Sequence, residues 1–86
     1  MDRFEKGMLV RSKAGHDVGE IFIITGTEDA YVYLADGRLR TLQKAKKKKK
    51  KHVQIILQQY DIQDADDVKI RRIIKEWNKK EENQED

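Results

Sequence analysis

Hydrophobic residues recur in short clusters separated by polar turns over the first two thirds of the chain, which is typical of a small β-rich domain. Residues 7–12, 20–25 and 31–35 have the β-branched and aromatic composition of strands. An Asp-Gly pair, a strong hairpin signal, precedes residues 38–42, which are predicted to return as a fourth strand. Residues 52–57 are predicted as the fifth. Five strands this short favour a compact, bent barrel over a flat sheet.

The hydrophobic pattern changes period towards the C-terminus. Ile70, Ile73, Ile74 and Trp77 follow the spacing i, i+3, i+4 and i+7, which places them on one face of a helix. Aspartates precede this segment and lysines end it, as the helix dipole favours. The sequence therefore predicts a mostly β protein, a five-stranded barrel followed by a C-terminal α-helix.

The chain has 86 residues, enough for one small domain. Residues 1–57 are predicted to form the barrel, with a lysine-rich arm at residues 44–51. A connection at residues 58–63 leads to the amphipathic helix at residues 64–80, and residues 81–86 form an acidic, disordered tail.

Charge is distributed unevenly along the chain. Residues 1–52 carry 13 Lys and Arg against 7 Asp and Glu, whereas residues 53–86 carry 6 against 9. A basic front attracts phosphate chains or anionic surfaces. With no cysteine and only two histidines, we expect no disulfide, metal or other cofactor. No apolar run reaches the length of a membrane span, and the N-terminus is polar, so a cytoplasmic protein without membrane contact is expected.

Catalytic motifs are absent from the sequence. No nucleophile stands in an elbow context, and no glycine-rich phosphate loop precedes a helix. His16 and Asp17 are adjacent in a polar loop, a placement that rarely forms a base with its orienting acid. We therefore expect a protein that is not an enzyme.

The lysine-rich arm is the most distinctive feature. Lys44 and the unbroken run at residues 46–51 repel one another, which predicts an extended or mobile segment that orders on a phosphate chain. The alternative is a solvated linker that only aids solubility. Tyr31 and Tyr33 share one face of their strand, so they either stack on unpaired bases or pack against the sheet.

Residues 7–24 resemble the KOW motif, which consists of a hydrophobic strand, a glycine, a polar turn and a second hydrophobic strand. Gly15 and Gly19 match its two glycines, and Val18 stands where the family often has lysine. The resemblance extends over residues 6–56 to small bacterial KOW-domain RNA-binding proteins. Those proteins are in turn similar to KOW-class large-subunit ribosomal proteins of archaea and eukaryotes.

The resemblance implies a Src-homology-3-like barrel that binds structured RNA, with ribosomal RNA as the expected ligand. We also expect the chain to be monomeric when free. The loop between the first two strands commonly contacts RNA in the family, and here it places Lys13 and His16 as donors. The residues predicted to bind RNA are Arg11, Lys13, Gly15, His16, Arg38, Arg40, Lys44, Lys46, Lys47, Lys48, Lys49, Lys50 and Lys51.

Two other functions fit the sequence. KOW domains also bind proteins, as in transcription elongation factors. The barrel edge or the Trp77 helix would then dock a protein of the transcription or translation machinery, and the lysines would only keep the chain soluble. A role in DNA compaction or at a membrane surface rests on charge alone.

Overall fold

The computed structural model describes residues 3–82, which form one five-stranded antiparallel sheet and one C-terminal helix. The protein is therefore mostly β, as predicted. The elements are β1 (Met8–Ser12), β2 (Ile21–Glu28), β3 (Tyr31–Ala35), β4 (Lys46–Lys49), β5 (Val53–Gln59) and α1 (Asp67–Glu82). A 3-10 turn at Lys50–His52 joins β4 to β5.

The strands follow the spatial order β4-β3-β2-β1-β5, so four strands form a meander and the last returns to the first. Val10 at the centre of β1 pairs with Phe22 on one side and with Ile55 on the other. Within residues 3–82, β4 and β5 do not pair with each other. The sheet is therefore open, and the closed barrel predicted from the sequence is not confirmed.

Both faces of the central strands are buried, which explains why β2 begins with an unbroken apolar run. On one face the sheet packs against α1, through a core of Leu9, Ile21, Ile23, Ala35, Ile62, Ile70, Ile73 and Trp77. On the other face a second core consists of Val10, Phe22, Ile24, Val32, Leu34 and Val53. The predicted helix stripe is thus confirmed, with Ile74 packing at its margin.

The start of α1 is fixed by polar contacts. The Asp66 carboxylate accepts the backbone N–H of Lys69 at 2.9 Å, which satisfies one of the unpaired donors of the first turn. The loop after β3 docks on the same turn, because the Leu42 N–H donates to Asp67 Oδ1 at 2.8 Å. Gly37 of this loop lies so close to the first turn of α1 that an added Cβ would come 2.4 Å from the Asp67 carbonyl oxygen.

The predicted strand at residues 38–42 does not form, and that prediction was wrong. The Asp36 carboxylate accepts the backbone N–H groups of Arg38 at 2.8 Å and Arg40 at 2.9 Å. These bonds hold the segment in successive bends rather than in an extended strand. Leu39 is consequently 87% exposed instead of packing in the core.

The fourth strand is built from the lysine run instead. Lys47 pairs with Tyr33 and Lys49 with Tyr31 along the outer edge of β3. Residues 46–49 of the segment predicted to be extended or mobile are therefore extended, as a strand at the edge of the sheet. Strand alternation sends successive lysines to opposite faces of the sheet, which separates like charges that would otherwise be adjacent.

The structure covers only part of the predicted acidic tail. Residues 81–82 of the predicted acidic tail form the last turn of α1, and residues 83–86 lie outside the described residues. In the described part of the chain, no helix has both the length and the apolar character needed to cross a membrane.

Candidate nucleic-acid interface

Strand β4 divides its lysines between two surfaces. Lys46 and Lys48 point towards the β1–β2 loop, which comprises residues 13–20. Lys47 and Lys49 lie opposite Tyr33 and Tyr31, on the other face. We call Lys46 and Lys48 the inner pair and Lys47 and Lys49 the outer pair.

The inner pair is bound to a single carboxylate. Lys46 Nζ lies 2.8 Å from Asp17 Oδ2, and Lys48 Nζ lies 2.7 Å from Asp17 Oδ1. Lys48 also donates to the Ala14 carbonyl at 2.8 Å, and the Ser12 hydroxyl donates to Asp17 Oδ1 at 2.6 Å. The Lys48 side chain is only 7% exposed and that of Asp17 16%. These contacts fasten the β1–β2 loop to β4.

The pKa of Asp17 reflects the balance between burial and these contacts. Burial alone raises the pKa, but hydrogen bonds from Lys46, Lys48 and Ser12 outweigh it and hold the pKa well below the ordinary value of 3.8. Asp17 is therefore ionised at neutral pH. Asp17 therefore offsets one of the two charges of the inner pair, and burial shields the Lys48 ammonium group from an external anion.

The outer pair lies on a surface that combines charge with aromatic rings. Lys47 Nζ is 4.5 Å from the centroid of the Tyr31 ring and 3.6 Å from Glu28 Oε2. The Tyr33 hydroxyl donates to Glu28 Oε1, and this bond is the main reason that the pKa of Glu28 is lowered and that of Tyr33 raised. Lys47 is thus held by one weak, exposed ion pair and by the face of an aromatic ring.

Two clefts flank Tyr31. The first has a volume of about 360 Å³ and lies between the β1–β2 loop and β4, with Ala14, Gly15, Tyr31, Lys47, Lys48, Lys49 and His52 around it. The second has a volume of about 420 Å³ and is lined by Ala30, Tyr31, Lys49, Lys50 and Lys51. Tyr31 and Lys49 belong to both clefts. We call this region the Tyr31 surface.

The β1–β2 loop is held beside the Tyr31 surface. The Lys13 N–H donates to the His52 carbonyl at 2.8 Å, which ties the loop to the start of β5. Gly15 adopts a left-handed backbone with a φ of 87°, a conformation that a side chain would strain. The predicted RNA-binding residues Lys13, Gly15 and His16 are exposed on this loop.

The predicted arginines are not brought to the Tyr31 surface. The Arg11 guanidinium lies 5.7 Å from the Trp77 ring centroid, on the face of the sheet that α1 covers. Arg38 and Arg40 are exposed in the loop that docks on the start of α1, and Lys44 is exposed further along that loop. The predicted set therefore separates into the lysine strand with its neighbouring loop and a dispersed group of cations.

A further basic region, which the sequence analysis did not identify, lies along α1. A groove of about 860 Å³ runs between the helix and the start of β2. Its cations are Arg38, Arg71, Arg72, Lys75 and Lys79, and its acids are Glu20, Asp36 and Glu82. The spacing of Arg71, Lys75 and Lys79 at intervals of four already indicates one basic helix edge. Interspersed acids make this region less uniformly cationic than the Tyr31 surface.

The role of Asp17 is a second feature that the sequence did not predict. It lies 29 residues from Lys46 and 31 from Lys48 along the chain. No local pattern connects residues so far apart, and the pairing follows only from the register of β4. The only signal in the sequence was an aspartate close to Lys13 and His16.

Comparison with known proteins found no family model that matches the chain and no similar curated protein. Across residues 3–82, no group of three or more His, Cys, Asp or Glu side chains is placed to hold a metal ion. The candidate interface is therefore defined by its own geometry and charge.

Proposed function

We propose that this chain is a non-catalytic, cytoplasmic RNA-binding protein of the KOW class that binds structured RNA, with ribosomal RNA as its target. The observation that carries the proposal is the row of lysines on β4, which the sheet fixes at one edge beside the half-buried Tyr31 ring.

Fixed lysines suit the recognition of an RNA backbone. Alternate residues of a strand lie about 6.6–6.8 Å apart on one face, so Lys47 and Lys49 present two ammonium groups in a defined order. Each phosphate that a lysine neutralises releases counterions, which gives affinity and a steep dependence on salt. Such contacts orient a protein on RNA without selecting a base sequence.

The geometry supports a smaller set of RNA-contacting residues than the sequence predicted. We assign phosphate contacts to the outer pair, to the neighbouring Lys51, and to Lys13 and His16 of the β1–β2 loop. The inner pair holds that loop in position through Asp17 rather than contacting RNA. We place Arg11, Arg38 and Arg40 outside the interface, because Arg11 lies against Trp77 of α1 and the other two arginines are exposed in the loop that docks on the start of the helix.

Sedimentation of the tagged protein from a cell lysate tests the proposal. At low salt we expect the protein to travel with the large ribosomal subunit, and to be released by a high-salt wash or by ribonuclease. A variant carrying Lys47→Gln and Lys49→Gln should remain near the top of the gradient. If the wild-type protein also remains there at low salt, binding to the ribosome is wrong.

A second candidate function is a protein-interaction module, and β5 favours it. This strand lies at the other edge of the sheet, contains no charged residue, and leaves Leu57 67% exposed. An uncharged edge can accept an extended segment of another protein. On this alternative, Leu57→Lys abolishes recovery of a partner from nuclease-treated lysate, whereas substitution of the outer pair does not.

A further inference from the structure

Building on the proposed RNA binding, we propose that the Tyr31 surface binds two consecutive unpaired nucleotides, with at least one base stacked on the Tyr31 ring. The ligand class is therefore a single-stranded segment of RNA, such as a loop or bulge within a structured molecule, rather than a continuous duplex.

The two clefts have the size and arrangement that this ligand requires. Their volumes of about 360 and 420 Å³ lie within the range of small-molecule sites, about 300–1,000 Å³. Tyr31 lines both clefts, so a base entering either of them would lie beside this residue. In a duplex the faces of the bases are already stacked on one another, and only unpaired bases can enter such clefts.

One face of the Tyr31 ring is covered by the exposed side chain of Lys47. Its ammonium group lies 4.5 Å from the ring centroid, on a side chain that is 48% exposed. An arriving base can displace this flexible side chain from the ring. The ammonium group then moves to the phosphate of the same nucleotide, so its charge stays paired while the ring gains a stacking partner.

The lysines around the clefts are complementary in charge to the phosphates of a short RNA segment. Lys49 lines both clefts, where the phosphate that joins the two nucleotides would pass. Gly15 has no side chain to narrow the first cleft, and His52 provides a second ring at its border. Stacking combined with ammonium groups recognises any unpaired nucleotide, so we expect weak sequence preference.

Fluorescence anisotropy with matched ligands tests this inference. The ligands are a short single-stranded RNA, an abasic strand of the same length, and a duplex with the same number of phosphates. Tyr31→Leu should weaken binding to the single-stranded RNA roughly tenfold and leave the abasic strand unaffected. Tyr31→Phe keeps the ring and should bind like the wild type.

Tyr33→Leu is the matched control, because Tyr33 shares the face of Tyr31 but lines neither cleft. It should not change the preference for single-stranded over abasic RNA. A readout that needs no variant is the NMR spectrum of the wild-type protein, in which a stacked base shifts the Tyr31 ring protons upfield.

The outcomes separate this inference from the proposed function. If the wild-type protein binds single-stranded and abasic RNA equally and the Tyr31 ring protons do not shift, stacking is overturned and phosphate binding stands. If Tyr31→Leu weakens binding to all three ligands alike, stacking is overturned as well. If no RNA binds even at low salt, the proposed function itself fails.

Discussion

Lys47 and Lys48 are neighbours in an unbroken run of lysines, yet their surroundings in the folded protein are opposite. The Lys48 side chain is 7% exposed and bound to Asp17 at 2.7 Å. The Lys47 side chain is 48% exposed, 3.6 Å from Glu28 and above the Tyr31 ring. Because side chains alternate between the two faces of a strand, Lys48 is buried in an ion pair within the fold and Lys47 is exposed at the surface.

The two surroundings also differ in energy. A buried ammonium group is costly unless it is paired and hydrogen-bonded, and Lys48 meets both conditions through Asp17 and the Ala14 carbonyl. An exposed pair such as Lys47 with Glu28 is screened by water and contributes little to stability. We therefore expect substitutions on the inner side to affect folding and those on the outer side to affect binding.

Removal of the Asp17 charge should produce the largest effect. Asp17→Asn leaves the Lys48 ammonium group buried without its counter-ion, and should lower the free energy of unfolding by about 2–3 kcal/mol. Urea denaturation followed by circular dichroism measures this change. Asp29→Asn, at the exposed turn between β2 and β3, is the matched control and should leave stability nearly unchanged. Equal stability of the two variants would show that the inner pair does not hold the fold.

The Asp17 contribution should depend on pH in a defined direction. Because the pKa of Asp17 is lower in the folded protein than its ordinary 3.8, its stabilisation is complete above the unfolded value and is lost as the pH falls towards the folded one. The Tm difference between wild type and Asp17→Asn should be constant from about pH 5 to 8 and shrink below about pH 4. A difference that grows at acid pH would contradict the assignment.

A pair of double-mutant cycles sharpens the contrast between the two faces. Asp17→Asn and Lys48→Met should be coupled by about 1–2 kcal/mol in unfolding free energy, because the two side chains are in contact and buried. Glu28→Gln and Lys47→Met should show no coupling above experimental error, because their contact is exposed. Comparable coupling in the two cycles would remove the energetic distinction between the faces.

The smallest expected effect is a gain in RNA affinity. Glu28→Gln removes the carboxylate beside Lys47 and leaves that ammonium group fully available, so binding to RNA should strengthen about twofold at low salt. Glu20→Gln makes the same charge change next to the groove along α1 and should have less effect. Anisotropy titrations compare the two variants, and equal gains would indicate a general charge effect rather than a site at the outer pair.

The sequence predicted the elements whose signals are local. The bounds of β3 at Tyr31–Ala35 match the prediction, because aromatic and aliphatic residues alternate there between two turns. The apolar stripe of α1 was also correct, although the helix runs over Asp67–Glu82 rather than residues 64–80. In both elements the pattern follows directly from the period of the secondary structure.

The missed elements depend on contacts with residues outside their own segments. Lysine has low strand propensity, and β4 forms because the edge of β3 supplies backbone partners while Asp17 neutralises the inner pair. The loop at residues 38–42 is bent because Asp36 binds its N–H groups and the start of α1 holds it. Neither feature has a signal within its own segment, so the sequence alone favoured an extended or mobile arm, without its place in the sheet, and a hairpin strand at residues 38–42.

Two variants of equal charge test most directly whether the inner pair of β4 stabilises the fold while the outer pair binds RNA. One variant carries Lys47→Gln and Lys49→Gln, and the other carries Lys46→Gln and Lys48→Gln. For each variant, RNA affinity is measured over a range of salt concentrations, and thermal unfolding is measured alongside.

We expect the outer-pair variant to keep its Tm and to bind RNA more weakly. The slope of its log affinity against log salt should fall by about 1.4 in magnitude, because two contacts with a single strand are lost. The inner-pair variant should lose thermal stability and, at temperatures where it remains folded, keep the wild-type slope. Equal loss of slope in two folded variants would contradict the division of the lysine strand.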